Sequence, residues 1–219
     1  MQNNETQQAR LLPRPEELCP FLKGVKGFMA PDEGRLLQEA GYAASTLGPC
    51  LEIGGYCGLS TIYLGLGIKA RGGILFSVDH HQGSEEHQPG EEFFDPELFD
   101  PEQRKVDSFK EFRKNISLAD LEQTVVPMVC SSEVAARMWS TPLALVFIDG
   151  GHSEQAAKTD YRLWANKIMP GGMLAIHDIF FDPDQGGQAP RMIYEEALAS
   201  GIFSSFKMVN TLALLCCHA

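Results

Sequence analysis

Five of the six histidines in this 219-residue chain stand close to carboxylates, in a few short stretches. These are Asp79-His80-His81 with His87 soon after, Asp149-Gly150-Gly151-His152, and His177-Asp178. Imidazole beside carboxylate suits proton transfer near neutral pH, and it is equally a ligand set for a metal ion. A further acid, Glu52, lies in the run Cys50-Leu51-Glu52-Ile53, and Ser131-Ser132 follow Cys130. After the first run comes a glycine-rich segment, Gly54-Gly55-Tyr56-Cys57-Gly58-Leu59-Ser60-Thr61. Glycines there let the backbone come close to a ligand, and a helix opening at Ser60-Thr61 aims unpaired N–H groups at it.

These residues share a site only if the elements carrying them end side by side. Residues 50–53, 74–79, 124–129, 143–149 and 173–178 are apolar runs that read as strands buried on both faces, the pattern of a parallel sheet. Helical patterns alternate with them. One opens at Pro31-Asp32-Glu33 and carries Leu36, Leu37, Ala40 and Ala43 on one face. Others run through Ile62, Leu64 and Ile68, over 107–116, from a cap at Ser131-Ser132-Glu133 to Met138, over 154–169 until Pro170-Gly171-Gly172, and over 192–200. Residues 203–209 and 212–217 read as a closing antiparallel hairpin with Asn210-Thr211 at its turn. The fold class predicted is α/β, a doubly wound, mostly parallel seven-stranded sheet with that C-terminal hairpin. Residues 1–20 are expected to be a flexible N-terminal arm, which could pack on a partner subunit in a homodimer, and residues 21–219 a single domain. Ligands of such sheets bind outside the carboxyl ends of the strands, where the acids and histidines fall. Asp79, ending the second strand some distance after the glycine turn, is placed to accept hydrogen bonds from ribose hydroxyls. The long polar stretch after it, to about residue 101, reads as a lid on the substrate side, with Phe93, Phe94 and Phe99 arguing against plain disorder.

Composition narrows the function. The formal net charge of −11 argues against a nucleic-acid-binding protein, which needs a basic surface for phosphates. The six cysteines show no C-x-x-C spacing and sit mostly in apolar contexts, as reduced, cytoplasmic proteins have them. The N-terminus is polar with no secretory pattern, and no apolar run is long enough to span a membrane.

Taken in order, Glu52-Ile53-Gly54-Gly55-x-x-Gly58-x-Ser60-Thr61, Asp79, Phe147-Ile148-Asp149-Gly150-Gly151-His152-Ser153, Pro170-Gly171-Gly172 and His177-Asp178 resemble the motifs of class I S-adenosylmethionine-dependent methyltransferases. Within that class the chain is similar to the small-molecule O-methyltransferase branch, from about residue 24 to the end. The resemblance implies a Rossmann-like fold and S-adenosylmethionine as cofactor. It implies cofactor contacts from Glu52, Gly54, Gly55, Tyr56, Gly58, Ser60, Thr61, Asp79, His80, Ser131 and Asp149. Some relatives of this architecture bind a divalent metal through acids after the fourth and fifth strands. Asp149 and Asp178 match two of them, and His177 stands where a second carboxylate is usual, so the implied metal set is Asp149, His177 and Asp178. Alternatively His177 or His152 is the general base, acting with Asp149, and no metal is needed. A blander role for Asp149 and Asp178 is to hold turns. Arg191, at the end of the last polar loop, could orient an anionic group of the acceptor. The implied partner is a small-molecule methyl acceptor, with neither nucleic acid nor membrane. A NAD-type dinucleotide oxidoreductase is the competing enzyme class, but the G-x-G-x-x-G turn is absent. A non-catalytic cofactor-binding module has no need of the histidine–carboxylate set, and the acidic balance counts against a nucleic-acid methyltransferase.

Overall fold

The computed structural model describes residues 12–218. Its strands, in chain order, are β1 (Cys50–Ile53), β2 (Leu75–Val78), β3 (Phe99–Asp100), β4 (Lys105–Val106), β5 (Val125–Met128), β6 (Leu143–Ile148), β7 (Ile168–Ile176), β8 (Phe203–Val209) and β9 (Leu212–Cys217). Seven form one sheet in the order β5-β2-β1-β6-β7-β9-β8. All its pairings are parallel except the two that β9 makes with β7 and β8. The helices are α1 (Pro15–Leu18), α2 (Pro31–Ala44), α3 (Leu59–Lys69), α4 (Phe109–Leu118), α5 (Ser132–Ala136), α6 (Glu154–Trp164) and α7 (Ala189–Ala199).

The pleat sends alternate residues of each strand to opposite faces. On one face Leu145 and Phe147 join Leu37 of α2, Ile62 and Leu64 of α3 and Phe112 of α4. On the other, Val146 and Ile148 join Trp164 of α6 and Ile193 of α7. Helices on both faces make the doubly wound, Rossmann-like sheet that the alternation of patterns predicts. The chain moves outward from β1 to β2 and β5, then returns to β6 on the other side of β1, so the sheet has its switch point between β1 and β6. Register places the site there. Ile53 is level with Val78 and with Ile148, and Ile148 is level with Ile176. The residues that follow, Gly54, Asp79, Asp149 and His177, therefore leave the sheet along one edge.

Three segments differ from the sequence expectation. Helix α6 stops at Trp164, and Ala165–Lys167 is a 3₁₀ turn. Pro170-Gly171-Gly172 does not end a helix but lies inside β7, where the pairing to β6 shifts between Leu143 and Leu145. A proline without an N–H and a glycine at φ +80° suit such an irregular strand. The lid carries 3₁₀ turns at Glu85–His87 and Pro96–Leu98 and the short β3–β4 ladder, with Leu98 and Val106 packed on Cys57 and Phe94 in a small core of their own. Of the expected N-terminal arm, residues 1–11 lie outside the described residues. Residues 12–20 lie against α2: Pro15 and Cys19 are buried, and Arg35 Nη1 donates to the carbonyls of Leu12 and Pro13. The cysteines form no disulfide among the described residues, and no described helix is long and apolar enough to cross a membrane.

Candidate functional site

The glycine turn is fixed from below. Glu52 is wholly buried, and its carboxylate accepts from Ser60 Oγ and Thr61 Oγ1 at 2.6 Å and from Ser77 Oγ at 2.8 Å. Burial pushes this carboxyl up to about 7, against the pull of the three hydroxyls. Glu52 thus ties the first turn of α3 to β1 and β2. It does not reach the cavity above, and neither do Thr61 or Gly58, the residue preceding α3. In this structure Glu52 and Thr61 tie the turn together, and Gly58 stands just before α3. Gly54, Gly55, Tyr56 and Ser60 do line the cavity. Gly54 has φ +95°, and a Cβ there would fall 2.0 Å from the Asp149 carbonyl oxygen, so only glycine lets the turn lie against the end of β6.

Asp79 stands on the cavity wall beside this turn. Its Oδ2 accepts from the Tyr56 N–H at 2.8 Å and its Oδ1 from the His81 N–H at 2.7 Å. Each oxygen keeps a lone pair, enough for a vicinal diol. His80 and Ser131 line the same wall, Ser131 also capping α5 by accepting from the Val134 N–H. His81 turns inward instead, packing on Phe109 and Phe112 with Nδ1 on Ser108 Oγ.

Asp149, His152, His177 and Asp178 line the same cavity. His177 Nδ1 is 3.0 Å from Asp149 Oδ1 and its Nε2 is 3.2 Å from Glu33 Oε2, on α2. Glu33 is itself held by N–H groups of Ala30 and Thr211 and the Thr211 hydroxyl. Burial pulls the His177 pKa down, but the Asp149 charge and the hydrogen bonds to Asp149, Asp178 and Glu33 win and raise it to about 12. Glu33, despite burial, is lowered to about 2 by His177 and its backbone donors. His177 is thus a cation with both ring nitrogens on carboxylates. Its expected roles as ligand and base would each require loss of a ring proton and of one of these bonds.

His152 is held in a similar way. Its Nε2 lies 2.9 Å from Asp178 Oδ2, and its Nδ1 lies 3.1 Å from Glu86 Oε2 of the lid. The bond to Asp178, opposed by burial and aided by Glu86, raises His152 to about 9. Burial acts to raise the Asp178 pKa, but the two histidines hold it well below the usual carboxylate range. One ligand atom each from Asp149, His152 and Asp178 lies within 4.8 Å of the other two. The cavity, of about 930 Å³, lies outside the strand ends.

Residues 51–179, more than half of the chain, match the family described as Methyltransferase domain. The chain belongs to this family. It is a methyltransferase of the S-adenosylmethionine-dependent class that its motifs resemble. Among solved structures it is similar to the O-methyltransferase from Bacillus cereus in complex with SAH, at 19% identity and a TM-score of 0.60, over 94% of this chain and 93% of that one. It is also similar to the O-methyltransferase TomG from Streptomyces achromogenes, in complex with SAM, at 14% identity and 0.61, over 99% and 96%. The SAH-bound methyltransferase PaMTH1 from Podospora anserina follows at 10% identity and 0.63, over 94% and 88%.

In this methyltransferase the lid forms much of the remaining wall, through Gly83 to His87 with Glu92 and Phe93, and Phe28, Met29 and Phe180 complete it. Arg191 is not part of the wall. Its Nε is on Glu195 and its Nη1 donates to the Phe181 carbonyl. Sequence reasoning missed Glu33 and Glu86. Pro31-Asp32-Glu33 reads only as a helix start, and no local pattern marks Glu86 as the partner of His152.

Proposed function

We propose that this methyltransferase moves a methyl group from S-adenosylmethionine to an oxygen of a small polar acceptor, with a divalent cation held by Asp149, His152 and Asp178. The observation that carries this proposal is the single cavity lined both by Asp79 and by the Asp149–His152–Asp178 trio. On the cofactor side Gly54, Gly55 and Tyr56 offer close backbone to the amino-acid portion. Asp79 takes the ribose hydroxyls, and His80 and Ser131 flank the adenosyl group. The SAM and SAH in the similar O-methyltransferases support that cofactor. Displacement at a sulfonium requires the acceptor oxygen in line behind the methyl group and its proton removed.

The trio fits a cation. Two carboxylates and an imidazole form a mixed O/N donor set that suits Mn²⁺, Fe²⁺ or Zn²⁺ as well as Mg²⁺. With Glu86 on Nδ1 of His152, loss of the Nε2 proton would free that nitrogen for a cation, and His177 orients Asp149. A bound cation supplies Lewis-acid polarisation of the acceptor hydroxyl. The acidic balance speaks against nucleic acid as acceptor, and cysteines in no disulfide among the described residues suit the cytoplasm.

Calorimetric titration with S-adenosylmethionine, SAH and NAD, with and without Mn²⁺ or Mg²⁺, tests the proposal. Micromolar binding of the adenosyl ligands, none of NAD, and a metal signal lost in Asp178→Asn are expected. Binding of NAD alone, or metal binding indifferent to Asp178, would refute it.

A further inference from the structure

We propose that the acceptor is a small ring-bearing amine, recognised as a cation by the lid-side wall through Phe28, Phe93, Glu85 and Glu92. The proposal rests on the methyltransferase assignment of the cavity and names the chemistry of its acceptor.

The charge of the walls is one-sided. Among the described residues eight carboxylate side chains line the cavity against one lysine or arginine, Lys26. The Lys26 ammonium is already bound to Asp95 and Glu97. Arg191 is turned to Glu195 and the Phe181 carbonyl, and His152 lies between Glu86 and Asp178. Away from the trio and its proposed cation, no lysine or arginine of the lining is left to meet a carboxylate, a phosphate or a nucleotide-bearing thioester, and burying such a group there uncompensated is costly. Glu85 and Glu92, both on the lid, form no ion pair among the described residues.

Beside them is an aromatic cluster that folding alone does not explain. Phe28, in the loop before α2, is 61% exposed, and Phe93 of the lid is 38% exposed, yet both face the cavity. Their ring centroids are 5.2 Å apart, edge to face, and Phe28 stacks on Tyr56 at 6.2 Å. Tyr56 in turn lies 5.0 Å from the His87 ring. His87 Nδ1 is bonded to Ser84 Oγ, while its Nε2 is buried without a partner, a polar atom that a ligand would satisfy. Open aromatic faces next to carboxylates attract a cation by ring quadrupole and charge together. The overall charge of −11 adds attraction at longer range. The remaining acids have other tasks. Asp79 belongs to the cofactor wall, Asp149 and Asp178 to the trio, Glu86 holds His152, Glu133 stands in the first turn of α5, and Asp160 lies beneath Gly150.

The test uses three probes alike in ring and chain length: 2-phenylethylamine, 2-phenylethanol and 3-phenylpropionate. Each is titrated into the full chain saturated with SAH. The amine is expected to bind most tightly, about tenfold better than the carboxylate, with a gap that narrows as salt rises. The double variant Glu85→Gln/Glu92→Gln should reduce the gap below about threefold, and SAH affinity checks its folding. Phe93→Ala should weaken amine and alcohol alike. The proposal is overturned if the carboxylate binds as well as the amine, if none of the probes binds, or if the gap survives in the double variant. The same titrations without SAH separate the two ideas. Failure of SAH to bind, with the amine still preferred, would remove the methyltransferase assignment and leave the charge selection standing.

Discussion

Replacing Glu52 with Gln should make the protein progressively more stable than the wild type as the pH rises. The carboxyl is wholly buried under the glycine turn, and burial moves it from 4.5 to about 7. The sign follows from proton counting. Below pH 4.5 the group is protonated in both folded and unfolded chains, and its contribution to stability is whole. Between 4.5 and about 7 the unfolded chain has lost the proton while the folded one keeps it, so stability falls as pH rises and levels off above 7. At about 1.4 kcal/mol per pH unit this amounts to about 3 kcal/mol lost across the window. Glutamine has no proton to lose. Its amide can still engage the hydroxyls of Ser60, Thr61 and Ser77, which are free to rotate. Urea denaturation of both proteins from pH 4.5 to 8.5 isolates the effect, because every other titrating group cancels in the difference. The variant should gain about 3 kcal/mol on the wild type over that range. A difference that stays flat, or runs the other way, would refute the view of Glu52 as a desolvated support.

Other perturbations follow from the same geometry. Asp79→Ala removes both acceptors meant for the ribose and should weaken S-adenosylmethionine binding about 100-fold or more in calorimetry, with the fold intact by circular dichroism; unchanged affinity would remove Asp79 from the cofactor site. Gly54→Ala forces a side chain into φ +95° and against the Asp149 carbonyl oxygen, and should lower stability by at least about 2 kcal/mol in denaturant titration; a neutral outcome would mean that the turn is not held as described. His177→Ala leaves Glu33 and Asp149 without their shared cation and should destabilise by about 3 kcal/mol. If it were harmless, the clamp from α2 would have no energetic meaning.

Much of this was legible in the residues. The apolar runs ending at Ile53, Val78 and Ile148 sit level in the sheet, so reading strand ends was enough to collect Gly54, Asp79 and Asp149 at one edge. The closing hairpin fell at residues 203–209 and 212–217, as β8 and β9 do, because Asn210-Thr211 punctuates two short alternating runs. Local punctuation misled at Pro170-Gly171-Gly172. It signals a helix stop, but a bulged strand tolerates the same residues when its neighbour pairs with them irregularly. The site was harder to read than the fold. His177 and His152 look equivalent in sequence, each near an acid. They are told apart by Glu33 and Glu86, 144 and 66 residues away, which no local pattern brings near. Glu52 was hard to read for a similar reason. Its place at a strand end suggests a ligand contact, whereas its face of the strand turns it under the glycine turn toward three hydroxyls.

The most direct test of the central claim is a crystal structure of the protein grown with SAH and Mn²⁺, with anomalous data collected at the manganese edge. SAH is expected with its ribose on Asp79 and one anomalous peak against Asp149, His152 and Asp178, while His177 stays on Glu33. SAH lying away from Asp79, or manganese absent from the trio or bound through His177, would contradict it.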